Sequence, residues 1–201
     1  MKDKLVDTAS ELFLQLGFKS VTMDDLAEQM GISKKTIYAH FRNKTDLIDA
    51  CACSIFDKIS AGIDCISDQG LNPIEELYEI KKFAMMHLKN EKSSPQYQLK
   101  KYYPQIYKSL NAKKYNMMKD CVLTNIKRGM EMGIYRENLD AHFVARIYFS
   151  GVTSLNDDDL FPKAGFPMPQ LMDQYLEYHL RGIVTPKGRN ILNTIINSNQ
   201  E

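Results

Sequence analysis

Lys34, Lys35, Thr36, Tyr38 and His40 crowd one short segment whose apolar anchors are Ile37 and Phe41. Cations and hydroxyls projecting from an anchored short helix can meet base edges and phosphates in the major groove of DNA. Two lysines at reading positions favour guanine O6 and N7. The preference is soft, because an ammonium on a flexible stem is a point charge and not a fork. Between Gln29 and Thr45 there are four basic residues and no acidic one, whereas the 201-residue chain carries a formal net charge of +1. A nucleic acid would therefore be held locally, and a symmetric partner would be needed to double the contact.

These side chains need a frame. Val21 to Lys44 reads as two short helices back to back, divided by Gly31-Ile32-Ser33. Thr22 suits the cap of the first, accepting from the Asp25 N–H while the Asp25 carboxylate reaches back. Met23, Leu26, Ala27 and Met30 form its buried stripe. Gly31 ends it, and Ser33 caps the next, which the pattern carries to about Phe41. Upstream, Leu5, Ala9, Leu12, Phe13 and Leu16 repeat at helical spacing, and Gly17 stands where a left-handed helix end belongs. Downstream, Asn43 caps a long helix whose stripe is Leu47, Ile48, Cys51, Ile55, Ile59 and Ile66.

The composition changes near Gln69. Asn72-Pro73 and Ser94-Pro95 each place proline in a first helical turn, and the second leads into Tyr97, Tyr102, Tyr103 and Tyr107. A helix is expected over about 111–132, stopped by Gly133, and another over 139–155 capped by Asn138. An exposed loop over 156–167 precedes a strong helix opened by Pro169, and a short helix is expected near 191–196. No strand-like alternation persists, so the fold class is all-α: a small helical head, a long helix leaving it, and a helical body.

The head resembles the tetracycline-repressor (TetR) family of bacterial transcription regulators. The resemblance rests on Ala9-x-x-Leu12-Phe13, Gly17-Phe18, Val21-Thr22-Met23, Leu26-Ala27, Gly31-Ile32-Ser33, Thr36-Ile37-Tyr38-x-His40-Phe41-x-Asn43-Lys44 and Leu47. It implies a helix-turn-helix DNA-binding domain over 1–45 and a ligand-binding and dimerisation domain over 46–201, with a linking helix at about 44–67. By the same resemblance Lys34, Lys35 and Thr36 begin the recognition helix, and Thr22, Tyr38, His40 and Lys44 contact phosphate. The implied partners are a palindromic double-stranded operator, a small-molecule effector and a second copy of the chain. A cytoplasmic repressor follows, with no cofactor, no metal and no catalysis.

The body is rich in methionine and tyrosine, which suits an adaptable pocket for a hydrophobic or aromatic effector. Phe83, Met86, His87, Tyr103, Tyr107, Tyr115 and Met118 are the candidate lining. Two later helices offer broad apolar stripes that could meet a symmetry mate as a four-helix interface. The first stripe holds Val144, Ile147, Tyr148, Gly151 and Leu155, with Gly151 permitting close helix approach. The second holds Met172, Tyr175, Leu176 and His179.

Other functions find less support. An all-α enzyme would use the Tyr/Met-rich pocket, but the four histidines are scattered and no phosphate-binding glycine loop is present. A redox-sensing regulator would need an activated thiolate among Cys51, Cys53, Cys65 and Cys121, whose spacing fits neither a metal site nor a disulfide scaffold. Hydrophobic content of 44% with 25% charged residues is that of an ordinary globular protein. No window approaches a membrane span, and the N-terminus does not read as a secretory signal.

Overall fold

The computed structural model describes residues 1–88, 95–157, 159–162 and 164–198. Among them the chain forms ten helices: α1 (Lys2–Leu16), α2 (Met23–Met30), α3 (Lys34–Tyr38), α4 (Lys44–Ser67), α5 (Pro73–Leu88), α6 (Pro95–Tyr102), α7 (Pro104–Glu131), α8 (Ala141–Ser154), α9 (Met168–Ile183) and α10 (Pro186–Ser198). The only β pairing among the described residues is an isolated bridge between Tyr135 and Val184. Packing divides the chain into two compact units, Met1–Gly62 with Met86–Lys114, and Ile63–Met85 with Tyr115–Glu201. The first unit thus takes in more than residues 1–45, because Leu99 of α6 and Ile106 of α7 are buried in the same core as Leu5, Phe13, Leu26 and Leu47.

Local chemistry sets most boundaries. Proline opens α5, α6, α7 and α10 at the position where a missing N–H costs nothing. Asn72 adds a side-chain cap to α5, accepting from the Ile74 and Glu75 N–H groups at 3.1 Å each. Gly133 ends α7 with φ 65°, a left-handed turn that glycine adopts without steric cost.

Several expectations need correction. Pro104 starts α7, so that helix begins well before residue 111 and absorbs part of the tyrosine-rich segment. Asp140, not Asn138, caps α8, its carboxylate accepting from the His142 and Phe143 N–H groups at 2.9 and 3.0 Å. Gly17 has positive φ (91°) but ψ 150°, so α1 ends in an extended exit and not a left-handed turn. The helix expected near 191–196 is the thirteen-residue α10, held by fully buried Leu192 and opened by Pro186.

The second unit has a buried polar centre. The Asn125 amide donates to Glu76 (2.8 Å) and to the Pro73 carbonyl (2.9 Å), and the Tyr135 hydroxyl donates to Asn125 (3.1 Å). Arg128 pairs with Glu76. Every partner of the buried carboxylate is thus supplied, as a buried charge requires.

Candidate nucleic-acid interface

α2 and α3 form the candidate interface, and each is fixed at its start. The Thr22 N–H donates to Asp25 Oδ2 at 2.7 Å, and the Asp25 N–H donates to Thr22 Oγ1 at 3.2 Å, a complete capping box. These bonds hold the Asp25 carboxyl below the ordinary carboxylate range, with the Thr22 backbone N–H as the largest cause. Gly31 then turns the chain with φ 62° and ψ 34°. The Ser33 hydroxyl accepts from the Thr36 N–H at 3.1 Å and lies 2.9 Å from the Thr36 hydroxyl.

α3 spans only Lys34–Tyr38 and not the stretch to Phe41. Beyond it the Ala39–His40 turn is closed by the His40 and Phe41 N–H groups, which both donate to the Ile37 carbonyl at 3.0 Å. Ile37 and Phe41 are buried as the anchors. That leaves Lys34, Lys35 and His40 exposed and Tyr38 48% exposed. Thr36 is half-buried, its hydroxyl engaged by Ser33.

Two of the candidate cations are already occupied. Lys34 Nζ lies 2.9 Å from Asp24 Oδ1 and 3.0 Å from Oδ2, and this carboxylate raises the lysine pKa. Lys44 donates to the Lys19 carbonyl at 3.3 Å and lies 5.9 Å from the centre of the Phe13 ring. Its partial burial pulls its pKa down, with Asp25 opposing. Lys35, by contrast, makes no ion pair among the described residues.

Capped α2, a tight glycine turn and a short anchored α3 with its polar face outward define a helix-turn-helix DNA-binding head. The sequence comparisons place it. Residues 5–51 match the model of the bacterial regulatory proteins of the tetR family, so the head is similar to the DNA-binding domain of that family. The biofilm operon icaADBC HTH-type negative transcriptional regulator IcaR of Staphylococcus aureus is 32% identical over 79 residues. That alignment covers 39% of this chain and 42% of the staphylococcal protein. The HTH-type transcriptional repressor KstR2 of Mycobacterium tuberculosis is 22% identical over 189 residues, 90% of this chain and 92% of that protein. A solved transcriptional regulator from Cytophaga hutchinsonii superimposes with a TM-score of 0.75 at 18% identity, covering 91% and 98% of the two chains. That likeness supports the all-α fold through the body, where the family model does not reach.

The remaining candidates are spread through both units. Tyr103 and Tyr107 are half-buried against the first core, and Met118 against the second. Tyr115 is half-buried, 5.0 Å edge-on to Phe149, and Phe83 is half-buried. Met86 is 59% exposed and so does not line an interior cavity. The side chain of His87 lies outside the described residues. Of the interface candidates, Val144, Tyr148, Leu155, Met172, Leu176 and His179 are buried within the second unit itself. Tyr175 and Gly151 also serve that unit. The Tyr175 hydroxyl donates to the Ile147 and Tyr148 carbonyls at 3.2 and 2.9 Å, and a Cβ on Gly151 would fall 2.3 Å from its ring. Gly151 therefore admits α9 of its own chain. Only Ile147 of the candidates is exposed. It stands with Phe143 (61% exposed) and Tyr178 (79%), which the stripes missed, along a groove of about 600 Å³ flanked by Arg136, Asp140 and Arg181.

Neither the buried Cys51 nor the half-buried Cys121 presents an activated thiolate. Burial pushes the Cys51 thiol up to about 12 and Cys121 to about 11, and Cys51 donates to the Val6 carbonyl at 3.5 Å. No described helix is long and apolar enough to cross a membrane.

Proposed function

We propose that this chain is a dimeric, sequence-specific repressor that leaves a palindromic operator when a small hydrophobic or aromatic effector binds. The observation that carries the reading is the anchored α3, whose buried Ile37 leaves Lys35, Tyr38 and His40 facing outward beside a capped α2. In this reading Lys35 and Thr36 read bases, and Lys34 joins them once it exchanges Asp24 for DNA. Thr22, Tyr38, His40 and Lys44 hold phosphate. IcaR is named a negative regulator and KstR2 a repressor, which favours repression, and a cytoplasmic site of action follows.

The second copy docks on the outer face of α8 and α9, where Phe143, Ile147 and Tyr178 are uncovered. An exposed apolar group of this kind marks a partner surface, and isologous pairing of two helices gives a four-helix contact. Half-buried rings and thioethers in each unit, Tyr103 and Tyr107 in one and Phe83, Tyr115 and Met118 in the other, supply chemistry for an apolar effector. The effector acts by preferring one of two arrangements of the paired heads, and α4, which contributes to both units, is the lever.

Selection of bound sequences from a random duplex pool tests the reading. The expected result is a palindrome whose half-sites lie about 34–36 Å apart or a multiple of it, with Ile147→Lys giving a folded monomer that no longer holds the full site. A single unpaired half-site, or no enriched sequence, would overturn it.

A further inference from the structure

A second cationic feature lies outside the helix-turn-helix. From Lys92 to Lys119 the sequence holds seven lysines and no aspartate or glutamate, in a chain of formal net charge +1. Within α6 the feature is organised by tyrosine. The Lys101 ammonium donates to the Tyr97 hydroxyl at 3.1 Å, which leaves it 5.3 Å from the centre of that ring and 5.5 Å from the centre of the Tyr102 ring. The Tyr102 ring also carries Lys19, at 4.8 Å. Two ammonium groups thus share one ring, and among the described residues neither forms an ion pair. Exposed cation–π contacts and a hydrogen bond to a neutral phenol are weak, so they orient the lysines without neutralising their charge.

This cluster adjoins the proposed phosphate contacts. The Lys19 N–H donates to the Gln98 side chain at 3.2 Å, which keys α6 to the loop after α1. Leu99 of α6 is buried in the core of the head. The Lys19 carbonyl accepts from Lys44, and Thr22 follows three residues later. Thr22, Lys44, Lys19, Tyr102 and Lys101 therefore follow one another along one edge of the first unit.

We infer that α6 extends the DNA-binding edge, with Lys19 and Lys101, steadied by Tyr102 and Tyr97, taking backbone phosphates of duplex that flanks the operator half-site. The inference rests on the reading of the chain as an operator-binding protein. Duplex DNA is the partner because the cluster continues a phosphate-contacting edge, offers cations without carboxylates, and adds phenol donors. These contacts carry affinity and no sequence information.

The test uses the full chain and two duplexes, the selected operator alone and the same operator with about ten further base pairs on each side. Wild type should bind the longer duplex about tenfold more tightly at low salt. Lys19→Gln with Lys101→Gln should abolish that advantage and leave the short duplex unaffected. Its salt slope on the longer duplex should flatten by about 1.8 per protomer, since each phosphate contact contributes about 0.9. Lys101→Arg should keep the advantage, and Lys82→Gln in the second unit should change nothing. Equal losses on both duplexes, or a wild type indifferent to length, would overturn the inference while leaving operator binding intact. A wild type that binds no duplex would remove the operator reading and this one with it.

Discussion

At the scale of single residues, the head separates two lysines that look equivalent in sequence. Lys34 is held by Asp24 at 2.9 Å, while Lys35 is exposed and unpaired among the described residues. Binding DNA through Lys34 therefore requires giving up an existing ion pair, and that exchange reduces its net contribution. Exposed pairs are worth roughly 0.2–1 kcal/mol. Asp24→Asn should accordingly raise operator affinity by up to about fivefold, through the freed Lys34 and the loss of a negative charge facing phosphate. Lys35→Ala should lose about 1–3 kcal/mol and relax the sequence preference at one base, and Lys34→Ala should lose less. Binding titrations against the selected operator and its single-base variants check all three. If Lys34→Ala were the costlier change, the ion pair would not be limiting that lysine. The identities of these groups were legible from residue type and spacing. The Asp24 pairing was not, because it depends on how α2 and α3 cross.

At the scale of elements, the agreement between expectation and structure follows the reach of the interactions. Caps are local, so Thr22, Ser33 and Asn43 were readable; Asn43 accepts from the Asp46 N–H at 2.8 Å. Proline signals were readable too, although Pro104 was passed over among its tyrosines. Burial is not local, and there the stripes misled. The apolar face of α8 satisfies its own unit through Val144 and Tyr148, and leaves Phe143 and Ile147 outside. A stripe records that a face is apolar, and the covering partner is chosen by tertiary packing. Gly151 shows the consequence. Its missing side chain is filled by the Tyr175 ring, whose hydroxyl ties α9 to two carbonyls of α8. Gly151→Ala places a methyl 2.3 Å from ring atoms, so it should cost about 1–3 kcal/mol of stability by overpacking. Urea denaturation should record this even in the monomer produced by Ile147→Lys. An effect seen only in the dimer would return Gly151 to the subunit interface.

At the scale of the whole molecule, two ionisable features give stability separate dependences on pH. His179 is packed between the rings of Tyr148 (5.0 Å) and Tyr175 (6.0 Å), and its burial pushes its pKa down to about 4 from 6.5. A folded pKa below the unfolded one means that the unfolded chain binds the extra proton first. The full contribution of neutral His179 is therefore present above pH 6.5 and is lost progressively as the pH falls toward 4, by up to ~3 kcal/mol. Asp25 works in a different window, because its lowered carboxyl loses its cap contribution only as the pH falls below about 3.8. Stability should thus fall in two stages as the pH drops, first through His179 in the body and then through Asp25 in the head. His179→Asn should flatten the fall between pH 6.5 and 4 while leaving the more acidic stage in place. Urea midpoints at pH 7, 5.5 and 4.2 for wild type and variant measure the difference. An unchanged slope in His179→Asn would assign the mildly acidic loss to another group. A variant that lost the acidic stage as well would show that the two units do not respond to pH independently.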